Sequence, residues 1–457
     1  MTQQSGSGLR AVSLFSNCGA GDIGFAKAGF HFDVMAELDP RRLDVALLNH
    51  PEAVGVPGDL RETLPIAVEQ YRKRAGTERP ALLTACPPCQ GLSSAQSARG
   101  VASDPDVGSK DHRNLLVSVV EEAVRILEPR TIVVENVPAF LTRLVRHPVT
   151  KEPVSAACFL MDSLATDYVA FPFIADLADF GVPQSRKRTF LTFLRRDEEA
   201  ITMLEHKGWA PYPFPSHSSA VHKPITLEEA LRSYHLPTLD ASSLDSATCE
   251  IAMHQVPVWP PDQYRMISAI ETNSGHSAWE NDLCLECGVR SHDRSAVRCI
   301  DCGALLPRPV VSRRLPGEEP RLVRGFRSSY RRMDPQRPAA TITTASGHVG
   351  SDRTIHPWEN RVLSPLECAL LQTFPSSFQW GDALRRVGHT NIRAMIGEAV
   401  PPLFTANHGG IIARLLKGIL PRVALPINDD RVLSAHKNLD RSRHAYNARE
   451  VSASPYR

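Results

Sequence analysis

The 457-residue sequence lacks the features that mark several broad classes of protein. No run of about 18 apolar residues is present, so we expect no membrane span. The first residues, MTQQSGSGLR, contain no apolar core of the kind found in signal peptides. The formal net charge of +2 is close to balance, so any surface that attracts an acidic partner must be local. We therefore expect a cytoplasmic protein whose ten cysteines stay reduced and serve metal binding or catalysis before disulfides.

Short apolar runs alternate with helix-like segments between Arg10 and Arg196. The runs AVSLF, DVMAELD, ALLTAC, TIVVENV and RTFLTFLR have the length and the β-branched and aromatic content of buried strands. Between two of them, NLLVSVVEEAVRILEP has the apolar spacing of an amphipathic helix. This alternation predicts an α/β fold with a doubly wound sheet, whose site lies at the carboxyl ends of the strands.

A glycine-rich loop follows the first predicted strand. Gly19, Gly21 and Gly24 form the pattern G-x-G-x-x-G, and Glu37 ends the next predicted strand 18 residues after Gly19. In dinucleotide-binding folds such glycines let the backbone approach a ligand, and the carboxylate accepts hydrogen bonds from ribose hydroxyls. The pattern alone fits NAD, S-adenosylmethionine or a plain glycine turn. Asp59, near a third strand end, is a candidate for an adenine amino group, and a lone aspartate there is also a common turn or cap residue.

The stretch ACPPCQGLSSA places Cys86 and Cys89 in a C-x-x-C pattern. In a cytosolic α/β chain this pattern fits a redox pair, half of a metal site, or one nucleophile with a second cysteine beside it. Glu135 ends an apolar run, where burial would raise its pKa and suit it to proton donation; the alternative is a solvated carboxylate. Arg186 and Arg188 lie two residues apart, which on a strand means one face; the alternative is a basic surface cluster.

A second group of cysteines lies in the middle of the chain. Cys284, Cys287, Cys299 and Cys302 form C-x2-C-x11-C-x2-C, and a glycine follows each pair. Four thiolates at this spacing predict a closed, structural Zn2+ site; the alternative is four free cysteines in a loop. Eight arginines follow within residues 313–337 and either contact phosphates and guanine or form a charged linker.

Together these residues resemble the motifs of the DNA (cytosine-5) methyltransferases, in that family's usual order. The similar stretches are SLFSNCGAGDIGF, MAELD, GDL, ACPPCQGLS, ENV, FGVPQSRKR, RRMDPQRPAATIT, IHPWENRVLSPLECALLQTFP and GEAVPP. The resemblance extends over residues 10–421, except for about 200–328. It implies a doubly wound, Rossmann-like sheet that binds S-adenosylmethionine, with a second, smaller target-recognition domain.

The resemblance implies a catalytic role for each matched residue. Cytosine C5 is a poor nucleophile, and a thiolate added at C6 makes C5 enamine-like. Cys89 would attack C6 of a cytosine flipped out of duplex DNA, with Cys86 as a bystander. Glu135 would hold the N4 amino group and protonate N3, and Arg188, with Arg186 beside it, would bind O2.

The resemblance also implies a cofactor site and a closing loop. The residues after Gln90, through Gly100, would close over the extruded base. Two positions depart from the family pattern, because Asn17 replaces the first loop glycine and Glu398 replaces the asparagine of the last motif. Asparagine tolerates left-handed backbone, so we expect the loop to keep its turn. The methyl group would come from S-adenosylmethionine, and the matched cofactor-binding residues are Phe15, Gly19, Gly21, Glu37, Asp59 and Pro88.

Composition and resemblance together suggest domain boundaries and partners. The expected divisions are a leader at 1–9, a catalytic domain at 10–197, a target-recognition domain at 198–345 with a zinc knuckle at 284–302, later catalytic motifs at 346–421, and a polar tail at 422–457 that is mobile or a docking arm. We expect a monomer that acts on duplex DNA beside a cognate restriction nuclease or defence-system proteins. A tRNA cytosine methyltransferase and a catalytically inert DNA-binding protein are the alternatives, and the long middle segment favours DNA.

Overall fold

The computed structural model describes residues 8–88, 116–147, 149–218, 221–311, 319–323, 328–351 and 353–452. Its strands are β1 (Leu9–Leu14), β2 (Phe30–Glu37), β3 (Val54–Pro57), β4 (Leu82–Ala85), β5 (Thr131–Asn136), β6 (Leu144–Arg146), β7 (Pro153–Ser155), β8 (Tyr168–Asp176) and β9 (Lys187–Arg195). Seven of these described strands form one sheet in the order β3-β2-β1-β4-β5-β9-β8, and β6 pairs with β7. The order reverses direction between β1 and β4, which confirms the predicted doubly wound α/β fold.

Helices connect and cover the strands. Those in the described residues are α1 (Ala20–Lys27), α2 (Pro40–Asn49), α3 (Leu60–Ala75), α4 (Leu116–Leu127), α5 (Ala156–Leu164), α6 (Glu199–Lys207), α7 (Leu227–Ser233), α8 (Leu244–Ala247), α9 (Pro261–Ser268), α10 (Pro365–Leu371), α11 (Ala383–Glu398, broken at Gly388), α12 (Pro402–Leu416) and α13 (Asp430–Ser452). Short 3-10 turns cover Pro138–Leu141, Leu177–Phe180 and Ala278–Glu280. Across the described ranges, no helix combines the length and apolar content that a membrane crossing requires.

The strands that the sequence predicts are buried on both faces of the sheet. Ile132 and Val134 of β5 face one apolar core, and Val133 between them faces the other. A strand that is buried on both faces contains a continuous run of apolar residues, and for this reason the sequence TIVVENV predicts a strand. Gly24, the third glycine of the loop pattern, serves packing instead of ligand binding, since a Cβ there would lie 2.0 Å from the hydroxyl oxygen of Thr405 on α12.

One strand of the sheet, β8, is absent from the sequence prediction, and β3 is predicted only as a strand end near Asp59. β3 is only four residues long and pairs with β2. β8 contains Pro172, which cannot donate to a ladder, and the strand lies at the sheet edge where one side needs no partner. β8 and β9 form an antiparallel pair, and β9 runs antiparallel to β5, so this end of the sheet is mixed.

A smaller core lies outside the sheet, and its limits differ from the expected domain at 198–345. Trp259, Met266 and Ile267 pack with Val349 and Val362, which the sequence assigned to the later catalytic motifs. In the other direction, residues 210–212 and 227–231 contribute to cores shared with the sheet and its loop. The smaller core therefore takes residues from 241–278 and 349–362, whereas Met333, Ala339 and Ile342 between them pack with the glycine loop.

One arginine of the 313–337 run is buried, whereas the sequence predicts these arginines at the surface. Arg332 is fully buried in the smaller core. Its guanidinium donates to the carbonyl oxygens of Ile267, Ile270, His356 and Glu359 and to the side-chain oxygen of Asn360. A buried guanidinium with all its acceptors inside the protein holds chain segments together and is not available to DNA. Four other arginines of the run, Arg313, Arg314, Arg324 and Arg327, lie outside the described residues.

The polar tail also differs from its expected mobile or docking state. Residues 430–452 form α13, which packs against β7 and β8. Val432, Ala435 and Leu439 are buried along one side of this helix. Their spacing of three and four residues is that of one helical face, which the surrounding charged residues obscure in the sequence.

Candidate active site

Five of the candidate residues meet at one edge of the sheet. β1, β2, β4 and β5 run parallel, so their carboxyl ends lie side by side. β9 runs antiparallel to β5, so its first residues lie at the same edge. This topology brings Phe15, Glu37, Pro88, Glu135 and Arg188 to the place where ligands bind in doubly wound sheets.

A buried ion pair lies at the centre of this edge. The Nε of Arg188 is 2.9 Å from a carboxylate oxygen of Glu135, and the two side chains are only 15% and 10% exposed. Burial raises the pKa of Glu135, and the neighbouring guanidinium of Arg188 opposes that shift. The sequence prediction of a buried carboxyl with a raised pKa therefore agrees with the structure. A carboxyl group whose pKa is raised in this way is better suited to proton transfer than a solvated one.

The end of β4 is fixed against the end of β5. The side-chain amide of Asn136 donates to the carbonyl oxygen of Pro87 over 3.0 Å. Earlier in the same strands, Ala85 pairs with Val134, so Cys86 and Glu135 are the next residues along the two neighbouring strand ends. Pro88 is the last described residue of this segment, and the predicted nucleophile Cys89 and the loop through Gly100 lie outside the described residues. The strand end that leads to Cys89 is thus held beside Glu135.

Arg186 occupies a different position from the one expected beside Arg188. It is 1% exposed, and its guanidinium donates to the carbonyl oxygens of Ile342, Gly397 and Ala399. These bonds join the start of β9 to two later segments of the chain. The two arginines share the side of the strand near Glu135, as their spacing predicts, but backbone carbonyls surround Arg186. Its position indicates a structural clamp behind the site.

The glycine loop keeps its turn although Asn17 replaces a glycine. Asn17 has a left-handed backbone with φ of 49°, and Gly19 has φ of 73°. The backbone N–H of Asn17 donates to Glu37 over 2.8 Å, and its side-chain amide donates to the carbonyl of Met395. Gly21 approaches Val400, where an added Cβ would lie 3.3 Å away. The asparagine therefore keeps the expected turn and adds a contact to α11.

The second departure, Glu398, forms an ion pair. Its carboxylate accepts a hydrogen bond from the guanidinium of Arg42 on α2, beside Glu37. Arg42 has no signal in the motifs, because its role depends on a residue more than 350 positions later in the chain. This ion pair joins α2 to the C-terminal end of α11, within the last motif.

The two acidic cofactor candidates differ in their surroundings. Glu37 is buried, and both of its oxygens accept backbone N–H groups, from Asn17 and from Asp39 at 3.1 Å. Burial raises the pKa of Glu37, and these N–H groups oppose the shift. Asp59 caps the N-terminus of α3 through the N–H of Arg61, and it also pairs with the Arg61 guanidinium, which lowers its pKa. Asp59 thus has the cap role that the sequence left open.

The four cysteines of the middle segment lie together. The sulfurs of Cys284, Cys287, Cys299 and Cys302 are all within 4.8 Å of one another. Two of the sulfur–sulfur distances, 284–302 and 287–299, are 3.5 Å. A tetrahedral Zn–S4 centre with bonds of about 2.3 Å separates its sulfurs by about 3.8 Å, so the cluster could hold such an ion.

Comparison with known proteins gives a consistent result. A family model described as C-5 cytosine-specific DNA methylase matches residues 9–412. Type II methyltransferase M1.HgaI of Avibacterium volantium is 29% identical over 412 residues, covering 87% of this chain and 96% of the relative. Type II methyltransferase M1.HphI of Haemophilus parahaemolyticus is 25% identical over 399 residues, covering 86% and 84%. A crystal structure of a proposed DNA modification methyltransferase encoded within a prophage (E. coli) has the same fold, with a TM-score of 0.51, 21% identity, and coverage of 90% and 99%.

The buried position of Arg186 predicts a loss of stability when the guanidinium is removed. Arg186→Leu leaves three backbone carbonyls without donors and should lower the free energy of unfolding by about 3 kcal/mol or more. Urea denaturation followed by circular dichroism measures this, with exposed Lys187→Leu as the control, expected within about 0.5 kcal/mol of the parent. An Arg186→Leu protein that keeps the parent's stability would contradict the clamp.

Proposed function

Because this chain belongs to the C-5 cytosine-specific DNA methylase family, we propose that it transfers a methyl group from S-adenosylmethionine to C5 of a cytosine within a specific duplex sequence. The chain is a DNA (cytosine-5)-methyltransferase by its family and its Type II relatives. The observation that best supports the detailed reaction is the buried Glu135–Arg188 pair beside the strand end that leads to Cys89.

The proposed chemistry begins with addition of the Cys89 thiolate to C6 of cytosine. Glu135 delivers its proton to N3 and accepts a hydrogen bond from the N4 amino group, so the adduct forms without a net negative charge on the ring. Arg188 stabilises the charge that develops at O2. C5 becomes an enamine carbon and would take the methyl group, with S-adenosylhomocysteine as the leaving group. A water-derived base then removes the C5 proton, N3 returns its proton to Glu135, and the Cys89–C6 bond breaks to release the thiolate. Burial raises the pKa of Glu135, which supports a role for this carboxyl in proton transfer.

The cytosine must leave the base stack before Cys89 can reach C6, so we propose that the enzyme flips the target base. The loop through Gly100 is the candidate for closure over the extruded base, by resemblance to the family. Arg188 and Glu135 lie at the sheet edge, where a flipped base can present O2, N3 and N4 in a row. The position of both side chains at this edge supports recognition of the O2, N3 and N4 atoms of cytosine.

The residues at the ends of β1 and β2 fit an adenosine-bearing cofactor. Each oxygen of Glu37 has one backbone donor and keeps a free lone pair for a ribose hydroxyl. Asp59 lies one strand further out for the adenine, and on the other side of Glu37 the candidates are Phe15, Gly19 and Gly21 after β1 and Pro88 after β4. S-adenosylmethionine would supply an electrophilic methyl group at this edge.

The cysteine cluster is proposed to hold one structural Zn2+. The surrounding core is small, with only Leu306 fully buried beside Cys284 and Cys299. Such a core cannot order a segment by itself, whereas four thiolate–zinc bonds can. The knuckle would then stiffen the region that recognises the target sequence.

We also propose a place in a restriction–modification system, as the Type II relatives suggest, with a cognate restriction nuclease or other defence proteins as partners. The protein would act as a monomer on DNA. A tRNA substrate and an inert DNA-binding role are the competing functions. Covalent trapping on fluorinated DNA and on fluorinated tRNA distinguishes them from the proposed one.

Covalent trapping tests the nucleophile. In DNA made with 5-fluorodeoxycytidine, C5 carries fluorine in place of the proton that must leave, so the Cys89–C6 bond persists after methyl transfer. With S-adenosylmethionine present, the parent and Cys86→Ser should form a complex that survives a denaturing gel, and Cys89→Ser should form none. A complex that depends on Cys86 and not on Cys89 would overturn the assignment. Trapping on fluorinated tRNA alone would establish the RNA substrate.

Two substitutions separate the cap role of Asp59 from its proposed cofactor contact. Asp59→Asn keeps an N-cap acceptor and should retain stability, whereas Asp59→Ala should cost about 1 kcal/mol. Both should weaken binding of S-adenosylhomocysteine, measured by calorimetry, by about threefold to tenfold. If both variants bind with the parent's affinity, Asp59 is only a helix cap.

Metal analysis tests the knuckle. Purified parent protein should contain close to one Zn2+ per chain by atomic absorption, and Cys284→Ser should lose most of it. His292→Ala is the matched control, because His292 lies between the two cysteine pairs but is exposed and outside the cluster. A folded parent protein without zinc would refute the site.

A further inference from the structure

The buried carboxylate of Asp22 has no part in the roles given above, although it lies next to the glycine loop. Asp22 follows Gly21 in the first turn of α1 and is 6% exposed. We infer that Asp22 supplies the negative charge that balances the sulfonium cation of S-adenosylmethionine. This inference rests on the proposed function, and it adds to the proposed cofactor site a residue that selects the charge of the ligand.

Two hydrogen bonds hold Asp22 against two strands of the sheet. The hydroxyl of Ser13 on β1 donates to one carboxylate oxygen over 2.8 Å, and the hydroxyl of Thr84 on β4 donates to the other over 3.0 Å. Ser13 and Thr84 are both buried. β1 and β4 are the neighbouring strands between which the sheet order reverses direction. Asp22 is therefore fixed beneath the crevice where ligands bind in doubly wound sheets.

The order of the strands indicates which part of the cofactor meets this crevice. Glu37, the candidate for the ribose, lies at the end of β2 on one side, and Glu135, the candidate for the target base, lies at the end of β5 on the other. The sulfur atom joins the adenosine to the methyl group that must reach the base. In a cofactor that extends from β2 towards β5, the sulfonium therefore belongs over the ends of β1 and β4, the two strands to which Asp22 is bonded.

A glycine loop that opens a helix ordinarily favours an anion. The N–H groups at a helix N-terminus carry a partial positive charge, which suits the phosphates of a dinucleotide. A sulfonium ion needs a field of the opposite sign. Asp22 places a carboxylate in the first turn of α1, where it opposes the positive field of the helix end. The loop is therefore better suited to a cationic ligand than to the dinucleotide that its glycine pattern alone would also fit.

The Asp22 carboxylate lacks a paired cation. In the described part of the chain no lysine or arginine forms an ion pair with it, and its hydrogen-bond donors are the two hydroxyls. Burial raises the pKa of Asp22, whereas His50 and the two hydroxyls oppose that shift. The Nε2 of His50 is itself 3.0 Å from the carbonyl oxygen of Gly19. Because a buried carboxylate without a partner is costly, a cation bound in the crevice stabilises Asp22 and is stabilised by it.

The experiment compares ligands that differ in charge at one position. S-adenosylmethionine carries a sulfonium, sinefungin carries an ammonium group near the same position, and S-adenosylhomocysteine has a neutral thioether. Asp22→Asn keeps the shape of the side chain and polar contacts to both hydroxyls, but it removes the charge. Ser13→Ala removes one of the contacts and keeps the charge. Asp33→Asn removes a buried carboxylate that pairs with Arg10 near the amino end of β1. Calorimetry without DNA gives the three dissociation constants of each folded protein.

Asp22→Asn should bind S-adenosylmethionine and sinefungin about tenfold more weakly than the parent, with its affinity for S-adenosylhomocysteine within about twofold of the parent's. In Ser13→Ala and Asp33→Asn any change should be equal for the three ligands, because the charge of Asp22 remains. An equal change for all three ligands in Asp22→Asn would mean that Asp22 only supports the loop, and it overturns the inference. If Asp22→Asn does not fold, Asp22→Ser gives the same comparison with a smaller neutral side chain. A folded parent protein that binds none of the three ligands contradicts the proposed function itself, and the inference with it.

Discussion

The buried pair of Glu135 and Arg188 is the contact on which the site depends. Either charge alone at this depth would be costly, and together they offset much of that cost. The pair fixes the end of β5 against the start of β9, and the bond from Asn136 to the carbonyl of Pro87 fixes β4 on the other side. The strand end that leads to Cys89 is therefore set relative to a buried carboxyl group and a guanidinium before any ligand binds. Such preorganisation is what lowers a barrier for charge development.

The site also depends on contacts between the sheet edge and the segments that follow the recognition region. Arg186 binds carbonyls of residues 342, 397 and 399, and Asn17 binds the carbonyl of residue 395. The ion pair of Arg42 and Glu398 lies in the same region. The two departures from the family pattern thus both make contacts with distant segments, since Asn17 binds α11 and Glu398 binds Arg42 of α2.

Much of the fold could be predicted because the central strands are buried on both faces and read as apolar runs. Glu135 was predictable for the same reason, as a carboxylate at the end of such a run. The edge strand with Pro172 and the four-residue β3 have no comparable pattern. The burial of Arg186 and Arg332 could not be predicted, because an arginine in a motif looks the same whether it faces substrate or carbonyls from distant segments.

The most direct test of this account is base-resolution sequencing of methylcytosine in the DNA of a host that lacks its own cytosine methylation. Cells expressing the parent chain should show methylcytosine at one short recurrent sequence, and cells expressing equal amounts of folded Glu135→Gln protein should show little or none. Absence of methylcytosine from the DNA of cells with folded parent protein would contradict the account. Equal methylation by the Glu135→Gln protein would contradict the central role given to the Glu135–Arg188 pair.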